Sequence, residues 1–343
     1  MCRSLAQDLL ASKLIPTVRL TKVFRQQSES SIIDAAHLIN SGKMPTFKIV
    51  PLTDTAAGDT TSSTNTDGLP DDFRLIPIED TQTAVRLSLH ANLSLSLSLA
   101  IVLLMPDAWQ VTTIVDLVER RIPAELGIPS SQIQVLTPKA AGSLGSRNLN
   151  ELLQMRLNPP AKHKGELKKY GYTFRVGDRV MQLVNDYTKG VYNGETGCVS
   201  YVGPPRTPSA SSRTRAAADL AGKAGSELEV SFDRLENVTF EAKELEKLAP
   251  AYAITIHKSQ GSEFPVVVMP IHMEHRFMLQ RNLLYTAVTR ARRLVVVVGT
   301  RSAIELAIAR ASSEGSGRLT GLRYQLERAW RARSHSAQQR YPV

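Results

Sequence analysis

Two uninterrupted apolar runs constrain this chain more than anything else in it. Val266 to Met269 and Leu294 to Val298 are valine-rich, and neither shows the in–out alternation of a half-solvated strand. A strand with no polar face must be covered on both sides, which is the condition of a parallel strand inside an α/β sheet. Between the runs, Gln280 to Arg290 has apolar residues at helical spacing. Strand, helix and strand in that order form a βαβ unit. The spacing predicts further elements of the same architecture: a helix over Ser28 to Ser41 with Gly42 behind it, a strand over Phe73 to Ile78, and a helix over Thr112 to Arg121. A short buried strand follows over Ile133 to Leu136, then a helix from Asn148 to Leu157 that stops at Pro159-Pro160.

The middle of the chain has a different period. Between Lys168 and Leu248, short alternating stretches (Arg179 to Val184, Gly197 to Val202, Leu228 to Phe232, Val238 to Phe240) are separated by turn residues such as Gly177-Asp178 and Asn193-Gly194. That pattern predicts a small antiparallel barrel or meander interrupting the parallel sheet. Three segments have compositions that do not build a core: residues 53–70, residues 203–226, and the Arg- and Ser-rich tail from Ser312, in which one helix is expected around Leu319 to Arg333. The stretch Leu93 to Met105 is too short to span a bilayer and carries serine at alternate positions in its first half; it reads as an insertion. The first twenty residues hold no apolar run of leader length, so no secretory leader is expected. A soluble, intracellular protein without a membrane partner is expected.

Charge sharpens the functional classes. The chain holds 42 Lys and Arg against 32 Asp and Glu, a net charge of +10. The excess lies late: residues 50–130 carry eleven acidic and four basic residues, whereas residues 139–215 carry thirteen basic and five acidic ones, and residues 272–343 thirteen and four. Such a distribution fits a polyanionic partner, although a solvated mixed surface accounts for any single cluster equally well. Cys2 and Cys198 are the two cysteines in the sequence, which excludes a disulfide framework. No His/Cys spacing of a metal site occurs, and His272 and His275 read as solvated loop histidines.

Three places carry candidate chemistry. Arg25-Gln26 follows the apolar pair Val23-Phe24, where an arginine at a strand end can meet a phosphate, or simply face water. Tyr252 to Phe264 (YAITIHKSQGSEF) packs His257, Lys258, Ser259, Gly261 and Glu263 into one short loop after a strand. Gly261 permits close backbone approach, Lys258 and Ser259 can donate to phosphates, and Glu263 can accept from a ribose hydroxyl; an ordinary polar loop reads the same way. Leu283 to Arg293 (LLYTAVTRARR) places Thr289 and Arg290 at the end of an apolar helix, where a guanidinium could meet charge developing in phosphoryl transfer. A basic helix terminus explains Arg292 and Arg293 as well. No G-x-x-x-x-G-K-[ST] is present; the nearest stretch, Gly142 to Arg147, lacks the lysine.

Taken together and in order, five blocks resemble the second motor domain of RecD-like superfamily 1 helicases. They are Arg19 to Pro45, Ile133 to Pro160, Gly177 to Val199, AYAITIHKSQGSEF and LLYTAVTRARRLVVVVG, and they cover about two thirds of the chain. The resemblance implies an α/β, RecA-like domain of the P-loop NTPase type over residues 1–160 and 249–311, interrupted by an SH3-like barrel over 161–248, with a basic tail over 312–343. It also implies that residues 85–107 are inserted. Arg25 and Arg290 would reach the γ-phosphate of ATP, with Gln26, Gly261 and Glu263 at the nucleotide. His257, Lys258 and Ser259 would lie along single-stranded DNA, and Lys168, Lys169, Arg179 and Asn193 would touch DNA from the barrel. ATP and its Mg2+ would be held mainly by a first RecA-like domain expected to precede residue 1. The function implied is the C-terminal half of a 5′-to-3′ DNA helicase, inactive as an ATPase in isolation. A DNA-binding remnant without catalysis and the product of a pseudogene stand beside it.

Overall fold

The computed structural model describes residues 8–18, 30–50, 72–77, 108–204, 227–310 and 321–340. Arg25 and Gln26, the loop 53–70 and the stretch 85–107 lie outside them. Residues 28–310 group as one compact unit, and the described residues among 1–27 and 311–343 group as another.

In the larger unit, six parallel strands form one sheet. They are β1 (Lys48–Ile49), β2 (Phe73–Pro77), β3 (Ile133–Thr137), β11 (Ala253–Thr255), β12 (Phe264–Ile271) and β13 (Ala291–Gly299), in the spatial order β1-β2-β13-β12-β3-β11. The valine runs take the two central places. Val267, Met269, Val295 and Val297 point into one apolar layer, and Val266, Val268, Leu294, Val296 and Val298 into the other. Helices α1 (Ser31–Asn40), α5 (Arg281–Val288) and α6 (Arg301–Ala309) cover the first face. Helices α2 (Ala108–Asp116), α3 (Ile122–Leu126) and α4 (Ser146–Leu157) cover the second. One π-helical stretch, Leu117–Arg121, joins α2 to α3, so this helical arm is longer than the predicted span.

Local chemistry sets the boundaries. Ser30 caps α1 by accepting from the amide of Ile32 (3.3 Å), and Ile32, Ala35, Ala36 and Ile39 form the buried stripe. Gly42, at φ +81°, then turns the chain as a left-handed C-terminal residue must. Glycine is also required where β13 ends. A Cβ on Gly299 would sit 1.9 Å from the Ile271 carbonyl oxygen of β12.

The second module lies between α4 and β11. Strands β6 (Arg179–Gln182), β7 (Thr196–Gly203), β8 (Glu227–Phe232) and β9 (Val238–Glu241) run as an antiparallel meander, with β10 (Leu248–Pro250) beside β6. A hairpin of β4 (Glu166–Lys169) and β5 (Tyr172–Arg175) closes over it, so that Phe174 joins Val180, Val199, Leu228, Val230 and Phe240 in a separate core. The four predicted strands are present; the closing hairpin and β10 are additions.

The barrel is fixed to the parallel sheet by buried polar contacts. Asp178 is 1% exposed and accepts from the Arg175 amide (2.6 Å), Gln154 Nε2 (2.5 Å), Asn158 Nδ2 (2.7 Å) and the Tyr252 hydroxyl (2.9 Å). One carboxylate thus ties the point where the chain leaves α4 to the point where it returns to the sheet. Burial and the Asp178 charge both push the Tyr252 phenol far above its usual pKa, so it stays a donor. Asn150 Nδ2 adds bonds to the carbonyls of Pro250 (3.1 Å) and Ala253 (2.8 Å).

The smaller unit contributes a helical turn at residues 8–12, where Ser12 Oγ donates to the Leu9 carbonyl (2.7 Å), and helix α7 (Leu322–Arg340), with an Arg323–Glu327 ion pair at 2.8 Å.

Candidate functional site

The short connection from β11 to β12 is what gives the site its shape. All six strands point the same way, so β11 ends at one edge of the sheet and β12 begins at the opposite one. Residues 256–263 therefore run back along the sheet, and they put the two ends of one loop at its two edges.

The first end lies at the carboxyl edge. Ile256 donates its amide to the Thr137 carbonyl (3.0 Å), which anchors the loop to β3. His257 and Lys258 are exposed. Partial burial and the charge of Arg147 push the Lys258 ammonium below the ordinary lysine range. Arg147, on the first turn of α4, therefore belongs to the same positive surface. Behind it, Lys139 pairs with Glu274, which also accepts from Ser143 Oγ (2.6 Å). Burial works against the Glu274 anion, yet the Lys139 and Ser143 hydrogen bonds hold its pKa below the usual carboxylate value. Ser259 is fully buried, and its hydroxyl donates to the Ile256 carbonyl (2.7 Å). Its hydroxyl is thus turned into the loop.

The second end lies at the amino edge of β12 and β13. Gly261, at φ +94°, makes the turn that brings Ser262 and Glu263 beside the end of α5. There the Phe264 amide donates to the Arg290 carbonyl (2.9 Å). The Arg290 side chain crosses back: Nη1 donates to the Ser262 carbonyl (3.0 Å), Nε to the Thr286 carbonyl (3.2 Å) and Nη2 to Thr289 Oγ1 (3.3 Å). Thr289 Oγ1 itself donates to the carbonyls of Tyr285 (2.9 Å) and Thr286 (3.0 Å). Two carbonyls and one hydroxyl thus accept from this half-buried guanidinium. Glu263 is paired with Arg292 at 2.7 Å. Gly261, Glu263 and Arg290 are gathered at one place; Arg25 and Gln26, expected beside them, lie outside the described residues.

The barrel residues separate into two groups. Lys168, Lys169 and Asn193 are exposed. The Asn193 amide donates to Asn185 Oδ1 (2.9 Å) across the hairpin. Arg179 is different. Its Nη1 donates to the Ile133 carbonyl (2.8 Å) and its Nη2 to Gln134 Oε1 (2.8 Å), and burial pushes its pKa down. It acts as a strut between barrel and sheet. Sequence reasoning also missed two aromatic rings on the hairpin. Tyr187 and Tyr192 are 78% and 45% exposed and meet edge to face with centroids 6.1 Å apart. Their signal was a tyrosine at each end of a turn, in a stretch read for its asparagines.

Among the described residues, no helix is long and apolar enough to cross a membrane, and no group of three His, Cys, Asp or Glu could hold a metal ion. His275, read as a solvated histidine, is 1% exposed, and neither of its ring nitrogens has a hydrogen-bond partner.

Residues 250–298 match the UvrD-like helicase C-terminal domain, and residues 149–214 match the SH3 domain of ATP-dependent RecD-like DNA helicases. The chain is 31% identical over 302 residues to the ATP-dependent RecD2 DNA helicase of Deinococcus radiodurans, covering 88% of this chain and 31% of that protein. It is 39% identical over 142 residues to the RecBCD enzyme subunit RecD of Mycobacterium tuberculosis, covering 41% of this chain and 21% of that one. The chain thus spans less than a third of the length of these curated relatives. A solved Pif1 helicase from Bacteroides, in complex with ADP-AlF3 and ssDNA, aligns over 92% of this chain and 57% of its own at 18% identity and a TM-score of 0.40. The α/β sheet, the inserted SH3-like module and the two matched domains make this chain a homologue of the C-terminal portion of RecD-like superfamily 1 DNA helicases.

Proposed function

We propose that the chain is the second motor domain of an ATP-dependent DNA helicase, supplying an arginine to the terminal phosphate of ATP and a grip on single-stranded DNA. The observation that carries this reading is the loop 256–263, which has exposed His257 and Lys258 at one edge of the sheet and Gly261, Ser262 and Glu263 against Arg290 at the other. A strand of DNA passing the first edge and a nucleotide at the second would both press on the same eight residues.

The residues present fit a contribution to a nucleotide site rather than a whole one. The half-buried Arg290 guanidinium lies against the Ser262 carbonyl of this loop, and the left-handed turn at Gly261 leaves open space at that position. The sequence contains no lysine-bearing glycine loop, so the triphosphate and its Mg2+ would be held by a first RecA-like domain, and Arg25 and Gln26 would join Arg290. When bound, ATP supplies the phosphoryl group whose charge rises as it transfers. Arg290 is placed to meet that charge, and a guanidinium in that role contributes on the order of 10³–10⁵ in rate. On the DNA side, Lys258, Lys168, Lys169 and Asn193 would track the backbone, and the free faces of Tyr187 and Tyr192 would stack on bases.

The test supplies the first RecA-like domain and measures ATP turnover and single-strand affinity together. Arg290→Ala should lower turnover on the order of 10³-fold or more while affinity for DNA holds. Arg290→Lys should recover little, because lysine keeps the charge and loses the planar fork. If affinity fell in step with turnover, Arg290 would be a DNA contact or a structural residue. If no turnover could be reconstituted at all, the chain would be a DNA-binding remnant.

A further inference from the structure

Two loops at the carboxyl edge of the sheet are joined by one carboxylate. The first, residues 138–145, follows β3 and leads into α4; the second, residues 272–280, follows β12 and leads into α5. Glu274 reaches from the second loop into the first, where it pairs with Lys139 and accepts from Ser143 Oγ (2.6 Å). Its own backbone is fixed as well, because its amide donates to His272 Nδ1 (3.3 Å). Gly142 leaves the carboxylate its room: a Cβ at that position would collide with Glu274 Oε1.

What the first loop does for α4 follows from its carbonyls. A helix leaves its first amides without partners of its own. Here the Lys139 carbonyl accepts from the Ser146 amide (3.1 Å), the Ala140 carbonyl accepts from the Arg147 amide (3.1 Å), and the Ser143 carbonyl accepts from Asn148 Nδ2 (2.7 Å). Lys139 and Ser143, whose side chains Glu274 holds, are therefore also residues whose backbones hold the first turn of α4. That turn carries Arg147, which is exposed and shares its surface with Lys258. The Ser146 and Arg147 amides are taken up by carbonyls, so an anion arriving here is met by side chains.

Arg147 and Lys258 repel each other, yet the fold keeps them together. Two like charges held side by side are relieved when an anion lies against both. Glu274 does not fill that place, since its carboxylate is engaged by Lys139 and Ser143 between the two loops.

We propose that Glu274 is a positioning residue for strand binding: by clamping the loop after β3 it sets Arg147 beside Lys258, where the pair meets a phosphate of single-stranded DNA. The assignment rests on the DNA-gripping reading above. It adds one contact, Arg147, and the residue that holds that contact in place.

Affinity of the full chain for a single-stranded oligonucleotide, measured across a salt series, tests it. Each phosphate contact on a single strand adds about 0.7 to the slope of log affinity against log salt. Arg147→Ala should weaken binding and lower the slope by about that amount. The informative partner is the double variant Lys139→Met/Glu274→Ala, which removes the clamp and leaves the net charge unchanged. It should lose as much slope as Arg147→Ala, and adding Arg147→Ala to it should change nothing more, because residues that act through one another are not additive. Ser143→Ala, which removes one of the two bonds and keeps the ion pair, should lose affinity in the same direction but less; it carries the test if the double variant does not fold, and parental affinity in it would then overturn the proposal. A parental slope in the folded double variant, or in Arg147→Ala, would overturn the positioning role alone. So would fully additive losses, which would make Lys139 or Glu274 a contact on its own account. No salt-dependent binding by the parent chain would overturn the positioning role and the DNA-gripping reading together.

Discussion

His275 is a histidine whose sequence surroundings misdescribe it. Glu274 and Arg276 flank it, and the local pattern is that of a solvated loop, yet the ring is buried beneath the turn that follows β12. Desolvation depresses its pKa to about 4, against the opposing pull of Glu274 and with help from the nearby Lys139 and His272. The linkage sign follows. The folded protein binds the proton less readily than the unfolded chain, so stability falls as pH drops from about 6.5 toward 4. The ring's full contribution to that fall is on the order of 3 kcal/mol. His275→Leu, which removes both orphaned nitrogens, should flatten this part of the stability–pH curve in urea titrations; parallel curves for the two proteins would show that the ring is not the titrating group. Arg179 teaches a related lesson. An arginine opening an amphipathic strand looks the same whether it meets a phosphate or a carbonyl, and its partners here, Ile133 and Gln134, are more than forty positions away. The helix, threonine and strand around Arg290, by contrast, form one local pattern and lie where the spacing predicts them.

The elements written most plainly in the sequence are those buried on both faces. A parallel strand with two apolar neighbours leaves an unbroken run, and β12 and β13 lie where their valines were read. The β4–β5 hairpin left no such mark. ELKK and YTFR alternate weakly, and only the side carrying Leu167, Tyr172 and Phe174 meets the barrel core. The joint between barrel and sheet was equally hidden, since Gly177-Asp178 reads as a turn and nothing local reveals the four donors that converge on Asp178. The strut beside this joint gives an element-scale prediction. Arg179→Met should cost about 1.5–3 kcal/mol, because two carbonyl-type oxygens lose charged donors. Single-strand affinity measured below the melting temperature should stay at the parental value. A variant that kept its stability and lost affinity would return Arg179 to the DNA-binding surface.

At the scale of the whole molecule, one carboxylate fastens the two ends of an inserted module, and this fastening bears on the order of assembly. β3 sits between β12 and β11, both of which are made more than a hundred residues later. The sheet cannot close until those distant strands arrive, and closing so long a loop carries an entropic cost that delays it. The barrel has its own core and mostly neighbouring pairings, β6 with β7, β7 with β8 and β8 with β9. Once formed, it brings residues 158 and 252 together at Asp178 and shortens the loop that β11 and β12 must close. Pulse-labelled hydrogen exchange during refolding should therefore protect amides of β6 to β8 before those of β3 and β12. Asp178→Asn should slow the later phase more than the earlier one. Simultaneous protection of both sets would mean that the module serves the sheet only after the fold is complete; protection in the expected order would make it a template on which its host is assembled.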